Sequence, residues 1–205
     1  MEPTEIAETI RGDDEEPRAA RADMDFRRYT GIYLGVVAML LAITTLGGSN
    51  ATKVMLNANI QASDTYGYYQ SKYVRQTEYR LAADQLEAQL AAQPGMPEPA
   101  KAGIENAVKR WRATVDRYES EPASGRGKKE LLATAKEWEA RRDRAARRDP
   151  NFDFAEALFQ IAIVLGSVSI VAASRPLFRL SGALAIAATL LMANGYFLLV
   201  QLPLD

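Results

Sequence analysis

The stretch YTGIYLGVVAMLLAITTLGG, residues 29–48, contains no charged side chain. A helix rises about 1.5 Å per residue, so a run of this length reaches about 30 Å, the thickness of a bilayer's hydrocarbon core. Two further runs repeat the pattern: AEALFQIAIVLGSVSIVAAS, residues 155–174, and LSGALAIAATLLMANGYFLLV, residues 180–200. One such run could be the core helix of a soluble protein. Three in a chain of 205 residues predict three transmembrane helices. The last two are separated only by the region of Ser174, Arg175 and Pro176, which makes them a tight hairpin. A cleavable leader fits the first run poorly, because the segment before it is long and acidic rather than short and basic.

Residues 1–28 hold nine acids against five arginines and few large apolar side chains. Such a segment buries too little surface to offset its ordering entropy, so the expectation is a disordered acidic tail.

Residues 49–150 have a different composition, rich in charge and helix formers. Three extramembrane helices are predicted, over about residues 50–92, 100–119 and 128–148. The QPGMPEP run, residues 93–99, breaks the first from the second, because Pro94 and Pro97 remove backbone donors and restrict their neighbours. In the second, Ile104, Val108, Trp111, Val115 and Tyr118 recur at the 4-3 spacing of a coiled-coil seam. Leu131, Ala135 and Trp138 keep that spacing in the third. The first helix spans about 65 Å, and the other two together about 62 Å. Only descent of both in sequence along the first returns the chain to the membrane by residue 155. The expected fold is therefore all-α, with three transmembrane helices and an antiparallel coiled-coil-like stalk between the first and second. Pro150 is expected to end the third helix, with Asp153 as N-cap and Glu156 at the N3 position of a capping box.

Arg27 and Arg28 before the first span, with Arg175 and Arg179 in the hairpin turn, place the N terminus in the cytoplasm and the stalk outside by the positive-inside rule. The arginines at 141, 142, 144, 147 and 148 oppose this, but long segments cross largely regardless of charge.

Composition limits the chemistry. With no Cys there is no thiol nucleophile or thiolate metal site, and with no His the usual neutral-pH base is missing. No phosphate-binding glycine loop, nucleophile elbow or H-E-x-x-H motif occurs. The chain is expected to be no enzyme, to bind neither cofactor nor metal, and to have no nucleic-acid partner.

The pieces ASDTYGYYQSK (62–72), GKKEL (127–131) and FDFAEALFQIAIVLGSVSI (152–170) resemble a bacterial membrane-protein family known as domain of unknown function 4337. Tyr66 stands where that family more often has Trp, and Gly67 where it has Ala. The resemblance implies an integral membrane protein with a coiled-coil-like insert, and it supplies no activity; the expected location is the bacterial inner membrane.

Two groups of residues are candidates for function. On a helical wheel at 100° per residue, Asn57, Gln61, Asp64, Tyr68, Lys72 and Arg75 share a polar stripe expected to pack on the returning helices. Asp64 would there pair with Lys136 or Arg141. Tyr66, Tyr69 and Tyr73 fall on the opposite side, with Met55, Ala58 and Ala62, and are expected to meet another subunit. The second group, Glu156, Gln160 and Asn194, lies in the last two spans, where polar groups are costly and either join helices or line a path. Gly31 and Gly35 form a GxxxG pair that permits close helix approach. The functional expectation is a homo-oligomeric membrane scaffold or interaction protein; the alternative is a small ion or proton channel or transporter subunit.

Overall fold

A computed structural model describes the backbone of residues 3–200, with side chains described for Arg21 and from Asp23 onward. Its helices are α1 (Pro3–Ala92), α2 (Glu98–Glu119), α3 (Lys128–Val171) and α4 (Arg175–Phe197), and no strand occurs among the described residues. Helices α1, α3 and α4 each contain a stretch long and apolar enough to cross a membrane. The chain divides into two compact units, Met1–Lys53 with Ala145–Asp205, and Val54–Arg144.

In the first unit α1, α3 and α4 pack through small residues. Val37, Phe159, Ala162, Ala185 and Ala188 form the buried core, flanked by Tyr33, Leu40, Leu158 and Leu184. In helices apolar enough to span a bilayer such packing rests on close van der Waals contact, which small residues permit. Close approach is built in by glycine. A Cβ on Gly166 would stand 2.7 Å from Leu34, and one on Gly47 or Gly195 would meet the Phe152 ring at 2.6 and 2.9 Å. Buried hydroxyls return to the backbone a turn earlier, Thr30 to the Phe26 carbonyl at 2.7 Å and Thr44 to Leu40 at 2.9 Å, so they cost the apolar run little.

In the second unit α1 packs along both α2 and α3. The predicted seams are buried or half-buried: Ile104, Val108, Trp111, Val115 and Tyr118 on α2, and Leu131, Ala135 and Trp138 on α3. Arg112 of α2 meets Asp84 and Glu87 of α1, Val115 meets Gln76, and Tyr66 lies beside Glu139 of α3. The contacts thus step back along α1 as α2 and α3 advance, which is the sequential antiparallel descent expected.

Two expectations change. Helix α3 does not end at Pro150 but continues through it to Val171, so Asp153 is no N-cap and Glu156 closes no capping box. Proline fits because only one ladder donor is lost, and the Asn151 amide donates to the Arg147 carbonyl at 3.0 Å beside the gap. At the other end, α1 is helical from Pro3, where a disordered tail over residues 1–28 was expected. Most of that tail's side chains lie outside the described residues.

Candidate functional site

The buried and half-buried positions of α1 within the second unit recur three and four residues apart: Met55, Ala58, Ala62, Thr65, Tyr69, Lys72, Gln76, Tyr79 and Ala83. This row unites the supposed tyrosine face with one member of the supposed polar stripe. Asn57, Asp64, Tyr68 and Arg75 point to solvent, and Gln61 is half-buried. The expected pairing of Asp64 with Lys136 or Arg141 is absent among the described ion pairs. Its level is right, since neighbouring Tyr66 lies beside Glu139, but its face is wrong. The tyrosines also turn inward: Tyr66 and Tyr69 are half-buried inside the chain, and only Tyr73 keeps half its surface exposed.

Lys72 and Gln76 are the two polar residues that this row buries. A buried amide or ammonium needs partners, because each unsatisfied group costs about 1–3 kcal/mol or more. Gln76 finds three. Its Nε2 donates to the Val115 carbonyl at 2.9 Å and to Glu119 Oε2 at 3.1 Å, and its Oε1 accepts from Lys128 Nζ at 2.8 Å. Lys128 closes the circuit by donating to Glu119 Oε2 at 3.0 Å. The Gln76 amide, and after it Lys128, hold the Glu119 carboxyl below the usual carboxylate range. One residue from each of three helices is thereby tied to the other two.

Aromatic rings complete the node. Lys128 Nζ lies 5.0 Å from the Tyr73 ring centre and 5.9 Å from that of Tyr69. Lys72 Nζ lies 4.8 Å from the Tyr118 ring and 4.0 Å from Glu121 Oε2. Cation–π contacts of this kind are worth about 0.5–2 kcal/mol, more as water is excluded.

The turn joining α2 to α3 is fixed by the same neighbourhood. Glu130 accepts from Ser120 Oγ at 2.6 Å and from the Glu121 amide at 3.1 Å, and these bonds lower its carboxyl. Gly125 takes a φ of +68°, and Gly127 has no room for a Cβ, which would run into Ser120 and Glu121 backbone. The GKKEL segment is therefore a structural device: Gly127 admits the turn, Lys128 enters the node and Glu130 pins the loop. The end of ASDTYGYYQSK, Lys72, and the start of GKKEL meet here. Gln76, Glu119 and Lys128 were not singled out from sequence; continuing the 4-3 spacing back from Tyr79 would have reached Gln76.

The polar candidates in the apolar stretches of α3 and α4 form two separate sets in the first unit. Glu156 and Gln160 bond one another along α3, Nε2 to Oε1 at 3.2 Å, and this pair is exposed. Gln160 therefore makes no bond between helices. Asn194 does: it donates to Asn151 Oδ1 at 2.7 Å and clasps both amide groups of Val200 at 2.8 Å, closing the end of α4. Toward the other end of α4, Ser181 Oγ donates to the Ala162 carbonyl at 2.6 Å, which leaves Tyr33 to donate to Ser181 at 2.8 Å. Among the described residues no buried side-chain polar atom lacks a partner, and no group of three His, Cys, Asp or Glu is placed to hold a metal.

Phe152, the first residue of the third motif, was also not picked out. It fills the space left by Gly47, Gly48 and Gly195 and meets Tyr196 edge to face at 5.0 Å. Tyr196 in turn donates to the Ile43 carbonyl at 3.0 Å.

No curated protein and no solved structure matches the chain. A family model does, over residues 26–198, which takes in the three apolar stretches, the node and the Phe152 seat. The chain belongs to the family described as Domain of unknown function (DUF4337).

Proposed function

We propose that this chain is a non-enzymatic, homo-oligomeric integral membrane scaffold or interaction protein that presents a coiled-coil-like helical unit outside the bilayer. The observation that carries the reading is the closed circuit of Gln76, Glu119 and Lys128. Its donors and acceptors are spent on joining three helices, which suits a rigid display unit better than a reaction centre. Gly31 and Gly35 support assembly: among the described residues a Cβ at either would meet nothing within 4 Å, so both are open to close approach by another helix. The proposed setting is a bacterial inner membrane with the N terminus cytoplasmic, by the arginine distribution around the first span and the hairpin turn.

Native mass measured in a mild detergent tests assembly, and a strict monomer sinks it. Proximity labelling from residues of the helical unit in the native host tests interaction, with a reproducible set of neighbours as the expected result.

One observation favours a second reading, a channel or transporter subunit. The Glu156–Gln160 pair is exposed on a helix apolar enough to span a bilayer, where several copies could bring such pairs together. Ion or proton flux in proteoliposomes that disappears with Glu156→Gln and Asn194→Leu would replace the scaffold reading with this one.

A further inference from the structure

The side of α1 turned away from α2 and α3 in the second unit carries large apolar residues without a cover. Leu56, Ile60, Val74 and Leu81 are 54, 57, 54 and 56 % exposed. A solvated unit otherwise rich in charge has little reason to leave such a row bare. The row is ordered. Leu56, Ile60, Ser63, Gly67, Gln70, Val74, Thr77 and Leu81 follow one another at alternating intervals of four and three, and none is charged. They are the a and d positions of a heptad repeat whose c and f positions are the buried residues packed on α2 and α3. Gly67, at the middle of the row, has nothing within 4 Å of its missing Cβ, so a facing helix could approach closely there.

We propose that this face is a parallel, in-register two-stranded coiled coil between the α1 helices of two copies of this chain, and that it is the contact through which the homo-oligomer of the preceding section forms. The flanking residues choose the occupant and its direction. With a at 60, 67 and 74, the g positions include Asn59 and Tyr73 and the e positions include Asp64 and Glu78. A parallel pair sets each g residue against the e residue five places on in the other helix. Asn59 then donates to Asp64 of the second copy, and Tyr73 to Glu78 of the second copy. An antiparallel pair would instead face e against e and bring the acids to one edge, where like charges repel. Asn59, Asp64, Tyr73 and Glu78 are all exposed and free to make these bonds. Asp64, which makes no ion pair among the described residues, gains a role as an acceptor between chains.

The natural absence of cysteine makes the test direct. Ser63→Cys and Gln70→Cys are introduced singly into the full-length chain, with Lys109→Cys on the exposed side of α2 as control. Mild oxidation in native membranes is expected to give covalent dimers with the first two and not with the third. Asn59→Asp, which faces acid against acid, is expected to weaken association about tenfold. The double variant Asn59→Asp with Asp64→Asn, which restores one donor to each pair, is expected to recover it. An oligomer by native mass that shows no cross-link at residues 63 and 70 overturns this interface while sparing the homo-oligomeric reading. A strict monomer removes both. Cross-linking between Ser63→Cys and Leu81→Cys in mixed samples, without self-linking, overturns the parallel direction.

Discussion

Gln76 is 2 % exposed, and its carboxamide satisfies a backbone carbonyl, a carboxylate and an ammonium at once. Gln76→Leu keeps the volume but leaves the Val115 carbonyl and Lys128 short of a partner in a desolvated place. The expected loss is about 1–3 kcal/mol in chemical denaturation of the detergent-solubilised chain. Arg75→Ala, one residue away and exposed, should change stability by less than about 0.5 kcal/mol. An equal effect of the two would refute the assignment of faces. The neighbouring carboxylates give the node a pH dependence. Glu119 and Glu130 are both lowered from 4.5 in the folded chain, by Gln76 and Lys128 and by Ser120 and the Glu121 amide. As pH falls, the unfolded chain therefore takes up these protons first. Their contribution is fully present above the unfolded value and is lost as pH drops through the folded ones. Acid midpoints measured for Glu119→Gln should lose part of this slope below pH 4.5. An unchanged acid limb would show that the Glu119 contacts carry no net stability.

At the scale of the helix, most of the architecture was legible and one face was not. The apolar stretches, the PGMP break and the seams of α2 and α3 stand in the sequence because each depends on local composition or on strong residues such as Trp111 and Trp138. The wheel at 100° per residue failed on α1 for a geometric reason. A seam that keeps a seven-residue repeat drifts about 20° per heptad on such a wheel. Between Met55 and Leu90 the drift reaches about 100°, enough to move Ala58, Ala62 and Tyr69 onto the wrong side. Buried Lys72 and Gln76 hid the row further by looking like surface residues, and the distant acids beside them, Glu121 for Lys72 and Glu119 for Gln76, are invisible locally. Pro150 misled in the other direction: a local helix breaker was overridden by packing on both sides of it, with Ala145, Asn151 and Phe152 all buried. If that packing holds α3 continuous, Pro150→Ala restores a ladder donor without changing the fold. It should stabilise the chain by about 1–3 kcal/mol, with unchanged helix content by circular dichroism. Destabilisation would mean that the proline itself is needed to seat Phe152 among Gly47, Gly48 and Gly195.

For the molecule as a whole, three candidate spans carry a consequence that neither residues nor helices show alone. An apolar stretch of α1 precedes the helical unit in sequence and one of α3 follows it; if both stretches cross a bilayer, the unit and the turn between α3 and α4 fall on opposite sides. Which side is which depends on a competition between arginines. Arg27 and Arg28 precede the first span and Arg175 and Arg179 sit in the short turn, whereas Arg141, Arg142, Arg144, Arg147 and Arg148 precede the second span. Charge in short loops and beside the first helix governs insertion, and long segments translocate with little regard to it. The first two pairs should therefore win. Ser124→Cys, in the turn between α2 and α3, and Ala172→Cys, at the end of α3, are both exposed and bring the only thiol into their chains. In intact bacterial spheroplasts a membrane-impermeant maleimide should label Ser124→Cys at once and Ala172→Cys only after permeabilisation. The opposite order would invert the orientation and give the weight to the arginines of α3. Labelling of both in intact cells would mean that the apolar stretch of α3 does not cross, whatever its length.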